Sequence, residues 1–139
     1  MKRSATQLAL ACATLLLTLV VFFSIASGAQ ADDQGKQLFE KRCTGCHSLD
    51  RNKEGPNLRG VYGRPAGTAP GFNYSAGLKS SHFTWDNAKL DKWLTDTQSL
   101  VEDNNMDFHV SKAEERAAII GYLKTLSSPQ SGASLRPAR

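Results

Sequence analysis

The segment Cys43-Thr44-Gly45-Cys46-His47 places two cysteines either side of two residues, with a histidine directly after them. This C-x-x-C-H pattern is the attachment signature of c-type haem. Two thiols at this spacing lie close together on one helical turn, within reach of the two vinyl groups on one edge of a porphyrin. Each thiol can add across a vinyl group, and the adjacent imidazole can bind the iron as its proximal ligand. The motif predicts one covalent haem c on Cys43 and Cys46, with His47 as an iron ligand.

Three other interpretations of the motif fit the rest of the chain less well. A redox-active cysteine pair of the thioredoxin type belongs in a βαβ context, and no strand-like alternation surrounds this segment. A zinc site would need a second pair of ligands, which His82 and His109 do not form. A disulfide across two intervening residues would be strained, and it would leave the histidine unexplained.

Residues 1–31 predict a secretory signal peptide. Lys2 and Arg3 are the only charged residues of this stretch, and a strongly apolar core follows over residues 15–23. Ala29-Gln30-Ala31 then supplies the small residues of a cleavage site. An uncleaved membrane anchor is the alternative, because the apolar stretch is long enough, at about 20 residues, to cross a bilayer.

Residues 32–128 are therefore expected to form one exported domain, located in a bacterial periplasm. Residues 129–139 are expected to be a disordered tail, because they have nothing to bury. A composition of 40% hydrophobic and 22% charged residues is typical of a globular domain and excludes collagen-like and coiled-coil chains. The formal net charge of +4 includes two cations of the leader, so the excess on the domain is too small to predict nucleic-acid binding.

Helical spacing of apolar residues predicts an all-α domain. A first helix is expected over residues 34–42, with Gly35, Leu38 and Phe39 on one face. A stretch rich in glycine and proline follows over residues 55–77.

Two further helices are predicted from their start signals. Thr84 is expected to cap a helix over residues 85–97. Ser111-Lys112-Ala113-Glu114 has the pattern of a capping box, and the helix that it opens is expected to end before Pro129.

Several longer segments carry a family resemblance. They are Gly35-x-x-x-Phe39, Gly55-Pro56-Asn57-Leu58-Arg59-Gly60-Val61-Tyr62-Gly63-Arg64, Ala69-Pro70-Gly71-Phe72-Asn73-Tyr74-Ser75 and Tyr122-Leu123. Together with the C-x-x-C-H motif they resemble the soluble class I cytochromes c of bacteria and mitochondria, over about residues 35–126. The resemblance implies the class I cytochrome c fold, in which the two terminal helices cross and the chain encloses one haem.

The resemblance also implies roles for individual residues. The carbonyl of Pro56 would hold the second ring nitrogen of His47, and Met106 would be the distal iron ligand. Hydrogen bonds to a haem propionate would come from Arg64, Tyr74 and Trp85. For Tyr74 and Trp85, packing in the core is a compatible interpretation. His109 is the next candidate for the distal ligand, and His82 is expected at the surface.

The segment before Met106 departs from the family pattern. The family usually has proline and glycine there, whereas this chain has Glu102-Asp103-Asn104-Asn105, and Thr97 stands where a proline often ends the preceding helix. A loop without proline is expected to be less stiff, with Asn104 and Asn105 adopting the turn conformations that it needs.

Two strong axial ligands leave no open site on the iron, so the prediction is a monomeric one-electron carrier and not an enzyme. Its redox partners would be a membrane cytochrome complex, a terminal oxidase or reductase, or a periplasmic dehydrogenase of a respiratory chain. Basic residues that could help docking are Lys36, Lys41, Arg42, Lys53, Lys79 and Lys89. The alternatives are a haem-based binder or sensor of small ligands, if the methionine dissociates easily, and a membrane-tethered subunit of a larger redox enzyme.

Overall fold

A computed structural model describes residues 33–127, so the predicted signal peptide and the predicted tail lie outside the described residues. The described chain forms helices α1 (33–42), α2 (Ala76–Lys79), α3 (Asn87–Thr95), α4 (Thr97–Leu100) and α5 (Ala113–Thr125). Within residues 33–127 the extended pairing is limited to one antiparallel bridge between Pro65 and Thr84. The predicted all-α fold class is confirmed. No helix in this range is long and apolar enough to span a membrane.

The first and last helices cross at a glycine. A Cβ atom placed on Gly35 would overlap the carbonyl oxygen of Ala118, so only glycine lets the two backbones approach this closely. One turn further along, the rings of Phe39 and Tyr122 pack with their centroids 5.4 Å apart. Ile119, also on α5, has 0% of its surface exposed. The predicted crossing of the terminal helices is therefore present, and it forms one wall of the core.

Helix α3 begins later than the sequence predicts, because its cap is Asp86 and not Thr84. The Asp86 carboxylate accepts a hydrogen bond from the backbone N–H of Lys89 at 2.7 Å. Thr84 is instead fixed in the bridge with Pro65. The helix ends at Thr95, because the next residue, Asp96, is extended and caps α4. The helix predicted over residues 85–97 is thus a shorter helix followed by a second, separately capped one.

The capping box predicted at the start of α5 does not form. Lys112 occupies the cap position, with no side-chain hydrogen bond to the helix, and the helix starts at Ala113. The guanidinium of Arg116 donates to the carbonyls of Val110 at 2.9 Å and Ser111 at 3.1 Å, and so fixes the incoming chain from within the helix. The carboxylates of Glu114 and Glu115 lie in the first turn, where their negative charge interacts favourably with the positive end of the helix dipole.

The core lies between α1, α3, α5 and the loops that join them. Its aromatic centre is a chain of edge-on contacts: the Phe83 ring packs on Trp85 at 4.9 Å, and Trp85 packs on Trp93 at 5.4 Å. The buried apolar side chains are Phe39, Val61, Ala66, Ala69, Tyr74, Leu78, Trp85, Leu90, Trp93, Leu94, Val101, Val110, Ile119, Ile120 and Leu123.

The assignment of the α3 cap leads to a stability prediction. Asp86→Ala should lower the free energy of unfolding by about 1 kcal/mol, because it removes the acceptor for the Lys89 N–H. Thr84→Ala is the matched control and should change stability by less than about 0.5 kcal/mol, since the Thr84 hydroxyl makes no hydrogen bond within residues 33–127. Urea unfolding followed by circular dichroism measures both. A larger loss of unfolding free energy for Thr84→Ala than for Asp86→Ala would show that Thr84 is the cap.

Candidate haem site

The C-x-x-C-H segment continues directly from the end of α1. The N–H of Cys43 donates to the carbonyl of Phe39, and the N–H of His47 donates to the carbonyl of Cys43, both at 2.8 Å. Both cysteines are free thiols, Cys43 half-buried against the core and Cys46 exposed. Burial raises the pKa of the Cys43 thiol to about 11, so this thiol is protonated at neutral pH. The helical turn thus presents the two sulfurs and the imidazole from one short segment, as the motif predicts.

Neighbouring residues fix the backbone of this turn. The ammonium group of Lys53 donates to the carbonyls of Thr44 at 2.5 Å and Gly45 at 3.0 Å. The N–H of Gly55 donates to the carbonyl of Cys46 at 2.8 Å. Three successive carbonyls of the motif therefore have partners from the loop that follows it.

The ring of His47 is held in one orientation. Its Nδ1 lies 2.8 Å from the carbonyl oxygen of Pro56, which can only accept, so Nδ1 carries the hydrogen. Nε2 has no hydrogen-bond partner within residues 33–127. Burial lowers the pKa of His47, although the bond to Pro56 acts in the opposite direction. A neutral imidazole with a free Nε2 lone pair is the form that binds a metal.

One face of this ring rests on Gly55. A Cβ atom at that position would overlap the Cε1, Nδ1 and Nε2 atoms of His47. Glycine is therefore required here by the close approach of a side chain to the backbone.

Met106 follows α4 and is half-buried against the core. Its N–H donates to Oδ1 of Asn104 at 2.8 Å, and its carbonyl accepts from the Thr97 hydroxyl at 2.6 Å. The backbone on both sides of the methionine is thus bonded to side chains. The expectation of a less stiff loop took no account of these bonds.

The turn before Met106 differs in part from the prediction. Asn104 contributes through its side chain, which also donates to the carbonyl of Val101 at 2.8 Å. The left-handed conformation belongs to Asp103, with φ of 55°, a region that aspartate tolerates better than most residues. Asn105 is exposed and makes no hydrogen bond in the described part of the chain. His109 is exposed at the surface, as is His82, for which this was expected.

The three predicted propionate donors have different surroundings. Arg64 donates to the side chain and carbonyl of Asn57 at 3.2 and 2.8 Å, so it fastens the loop that contains Pro56. Burial lowers the pKa of this guanidinium. The Tyr74 oxygen accepts from the N–H of Ala69 at 3.2 Å, which leaves its own hydrogen to donate. The indole N–H of the buried Trp85 has no partner within residues 33–127.

Comparison with known proteins agrees with this geometry. The family model described as Cytochrome c matches residues 33–127. The chain belongs to the cytochrome c family. It is 42% identical over 97 residues to cytochrome c of Euglena viridis, which covers 68% of this chain and 95% of the relative. It is 39% identical to cytochrome c of Chlamydomonas reinhardtii, over 66% of this chain and 85% of the relative.

A solved structure also matches closely. Cytochrome cH from Methylobacterium extorquens superposes with a TM-score of 0.64 at 40% identity, over 67% of this chain and 96% of that chain. The helices described above therefore form the class I cytochrome c fold. Members of the family carry electrons on a single covalent c-type haem.

The residues of the C-x-x-C-H segment fit this group. Two free thiols stand on one turn, as thioether attachment requires. Burial lowers the pKa of the imidazole that follows them, and its Nε2 is not used by any described residue. Two thiols and an imidazole are the groups that covalent attachment and one ligand bond of a c-type haem need from the polypeptide.

Sequence reasoning missed several residues that shape the site. Asn52 accepts from the N–H of Asn57 at 2.9 Å and donates to the carbonyl of Pro70 at 3.0 Å, so it joins the two loops named in the resemblance. The bonds of Lys53 and Thr97 to the backbone were missed as well. A polar residue in a loop is weak evidence for a role in the site, because its hydrogen-bond partners depend on the folded conformation of the backbone.

Proposed function

We propose that the domain is a one-electron carrier whose haem c is attached through Cys43 and Cys46 and ligated by His47 and Met106. The observation that carries the proposal is the orientation of His47, whose imidazole is bonded through Nδ1 to the carbonyl of Pro56 immediately after two free thiols. When bound, the haem supplies an iron that alternates between Fe(II) and Fe(III). The work of the polypeptide is to orient the two ligands and to exclude water around them.

Met106 is proposed as the second ligand because hydrogen bonds from neighbouring side chains fix its backbone. A neutral thioether favours the ferrous state and raises the reduction potential above that of a bis-imidazole site. Held by both His47 and Met106, the iron would offer no site for substrate, which supports electron transfer and not catalysis. The hydrogen bonds on both sides of the Met106 peptide weigh against a binder of small ligands, which would need this residue to leave easily.

The propionate contacts remain part of the proposal. Tyr74 and Trp85 each keep a hydrogen that they do not donate within residues 33–127. The Arg64 guanidinium already donates hydrogen bonds to Asn57 through two nitrogens. It would also add positive charge near the proposed propionate. A partly buried carboxylate needs such donors to offset the loss of water.

We propose a periplasmic location and docking to redox proteins, as the leader sequence and the family membership suggest. The partners would be a membrane cytochrome complex, a terminal oxidase or reductase, or a dehydrogenase of a respiratory chain. Of the basic residues considered for docking, Lys36 and Lys41 on α1 are exposed and make no ion pair within the described residues. Arg42, in contrast, pairs with Glu115 at 2.5 Å. The N-terminal residue of the purified protein distinguishes a free carrier, from which the leader has been cleaved, from a tethered subunit.

A spectroscopic titration tests the proposed function. The purified protein should show one reversible one-electron step, a six-coordinate low-spin spectrum and the weak far-red band of ferric iron bound to methionine. Carbon monoxide should leave the reduced spectrum unchanged. An immediate response to carbon monoxide would instead favour the small-ligand binder, and a colourless protein with free thiols would exclude both.

A further inference from the structure

Polar side chains are rarely buried in this domain, and the exceptions lie around one residue. Among residues 33–127, the buried polar side chains are Thr97, with 3% of its surface exposed, and Asn104, with 8%. Both bond to the backbone of Met106, one from each side. Burial of a hydroxyl or an amide is unfavourable unless it is hydrogen-bonded. Their placement is thus explained by the contacts that they make with this peptide.

The two side chains are themselves firmly placed. Thr97 is the first residue of α4, whose N–H groups are capped by the carboxylate of Asp96. Asn104 donates to the carbonyl of Val101, and its own carbonyl accepts from the side chain of Gln98 at 3.1 Å. The clamp formed by Thr97 and Asn104 therefore connects Met106 to α4 rather than to a free loop.

The segment that leads to Met106 needs such a clamp. Residues 101–105 contain no proline, so nothing in their covalent structure restricts the unfolded chain. Asp103 is in the left-handed region, which is unfavourable for a residue with a side chain. On the other side, α2 approaches so closely that a Cβ on Gly77 would overlap the carbonyl oxygen of Glu102. The loop is kept in shape by contacts rather than by intrinsic stiffness.

We propose that Thr97 and Asn104 are positioning residues that keep the Met106 sulfur at the iron and so keep external ligands away from it. This inference rests on the proposed ligation by Met106. One bond fixes the N–H of Met106 and the other fixes its carbonyl, so loss of either one should let the residue move away from the iron more often. An external ligand then binds in proportion to the fraction of molecules in which the methionine has left.

Imidazole titration of the ferric holoprotein measures that fraction. Thr97→Val removes the hydroxyl at nearly constant shape, and Asn104→Ala removes the acceptor of the Met106 N–H. Each variant should bind imidazole about tenfold more tightly in apparent affinity, which corresponds to about 1.4 kcal/mol. The far-red band of the iron–methionine bond should weaken as imidazole binds, at lower imidazole concentrations than in the parent protein. Unchanged imidazole affinity in both variants would overturn the proposal.

Two matched variants separate the clamp from a general loosening of the fold. Thr97→Ser restores the hydroxyl and should return imidazole affinity to that of the parent protein. Asn105→Ala changes the residue next to Met106, which makes no hydrogen bond in the described chain, and should have no effect. If Thr97→Ser binds imidazole as tightly as Thr97→Val, the hydroxyl is not responsible and the proposal fails.

The unaltered protein offers a test that does not depend on the variants maturing. The Met106 amide, bonded to Asn104, should exchange its hydrogen at least about tenfold more slowly than the unbonded amide of Asn105. Equal exchange rates would overturn the clamp. If Met106→Ala leaves spectrum and imidazole affinity unchanged, the proposed ligation has failed instead, so the two failures are distinguishable.

Discussion

Gly55→Ala should destabilise the haem-loaded protein by about 3 kcal/mol or more, the upper part of the range for overpacking a filled site. A Cβ atom there would overlap three atoms of the His47 ring. The ring cannot simply move away, because Nδ1 is bonded to Pro56 at 2.8 Å and Nε2 is proposed to bind iron. The variant must therefore weaken either the hydrogen bond or the ligation. Chemical unfolding followed in the visible spectrum measures the loss.

Gly45→Ala is the control for this experiment. Gly45 lies between the two cysteines, yet a Cβ placed on it has no atom within 4 Å. Its replacement should leave haem attachment intact and change stability by less than about 0.5 kcal/mol. If both variants were equally stable, the packing of His47 on Gly55 would be wrong. If both lost haem equally, sensitivity of the motif to any substitution would be the explanation.

The features predicted correctly from sequence are those that depend on neighbours in the chain. The spacing of Cys43, Cys46 and His47 describes one helical turn, and the turn is present. The apolar face that includes Gly35 and Phe39 repeats at helical spacing, and it packs on α5. A local pattern is sufficient in these cases because helix geometry alone places the side chains.

The errors occur where two local solutions compete and a contact made outside the cap decides between them. Thr84 and Asp86 are both favourable residues for a helix cap. Because Thr84 is paired in the bridge with Pro65, Asp86 caps the helix. The capping box at Ser111 fails in a similar way, since Arg116 bonds the Ser111 carbonyl and the helix starts later. Neither contact can be inferred from the residues next to the cap.

The methionine loop is ordered by means that differ from the family pattern. The prediction compared Glu102-Asp103-Asn104-Asn105 with the proline and glycine of the family and expected a softer loop. In the structure, the Asn104 side chain and the Thr97 hydroxyl bond both sides of the Met106 peptide. Asparagine can bond to the backbone two residues on, so the turn chemistry was recognisable. The part played by Thr97, nine residues away, was not.

Met106→Ala should lower the reduction potential by about 0.1 V or more, a fraction of the range of about 0.8 V over which axial ligands set haem potentials. Loss of the thioether removes the ligand that favours ferrous iron. The far-red band should disappear, and imidazole or carbon monoxide should bind readily. Redox potentiometry and the visible spectrum measure these changes. A potential and spectrum equal to those of the parent protein would show that another group ligates the iron.

Two companion variants assign the effect to the sulfur. Met106→Leu keeps most of the side-chain volume, so the change in packing alone should cost less than about 1.5 kcal/mol. It should nevertheless lose the far-red band and gain external ligands as Met106→Ala does, because it lacks the donor atom. His109→Ala alters the other distal candidate, which is exposed, and should change neither potential nor spectrum. A spectral change in His109→Ala with none in Met106→Leu would transfer the ligand role to the histidine.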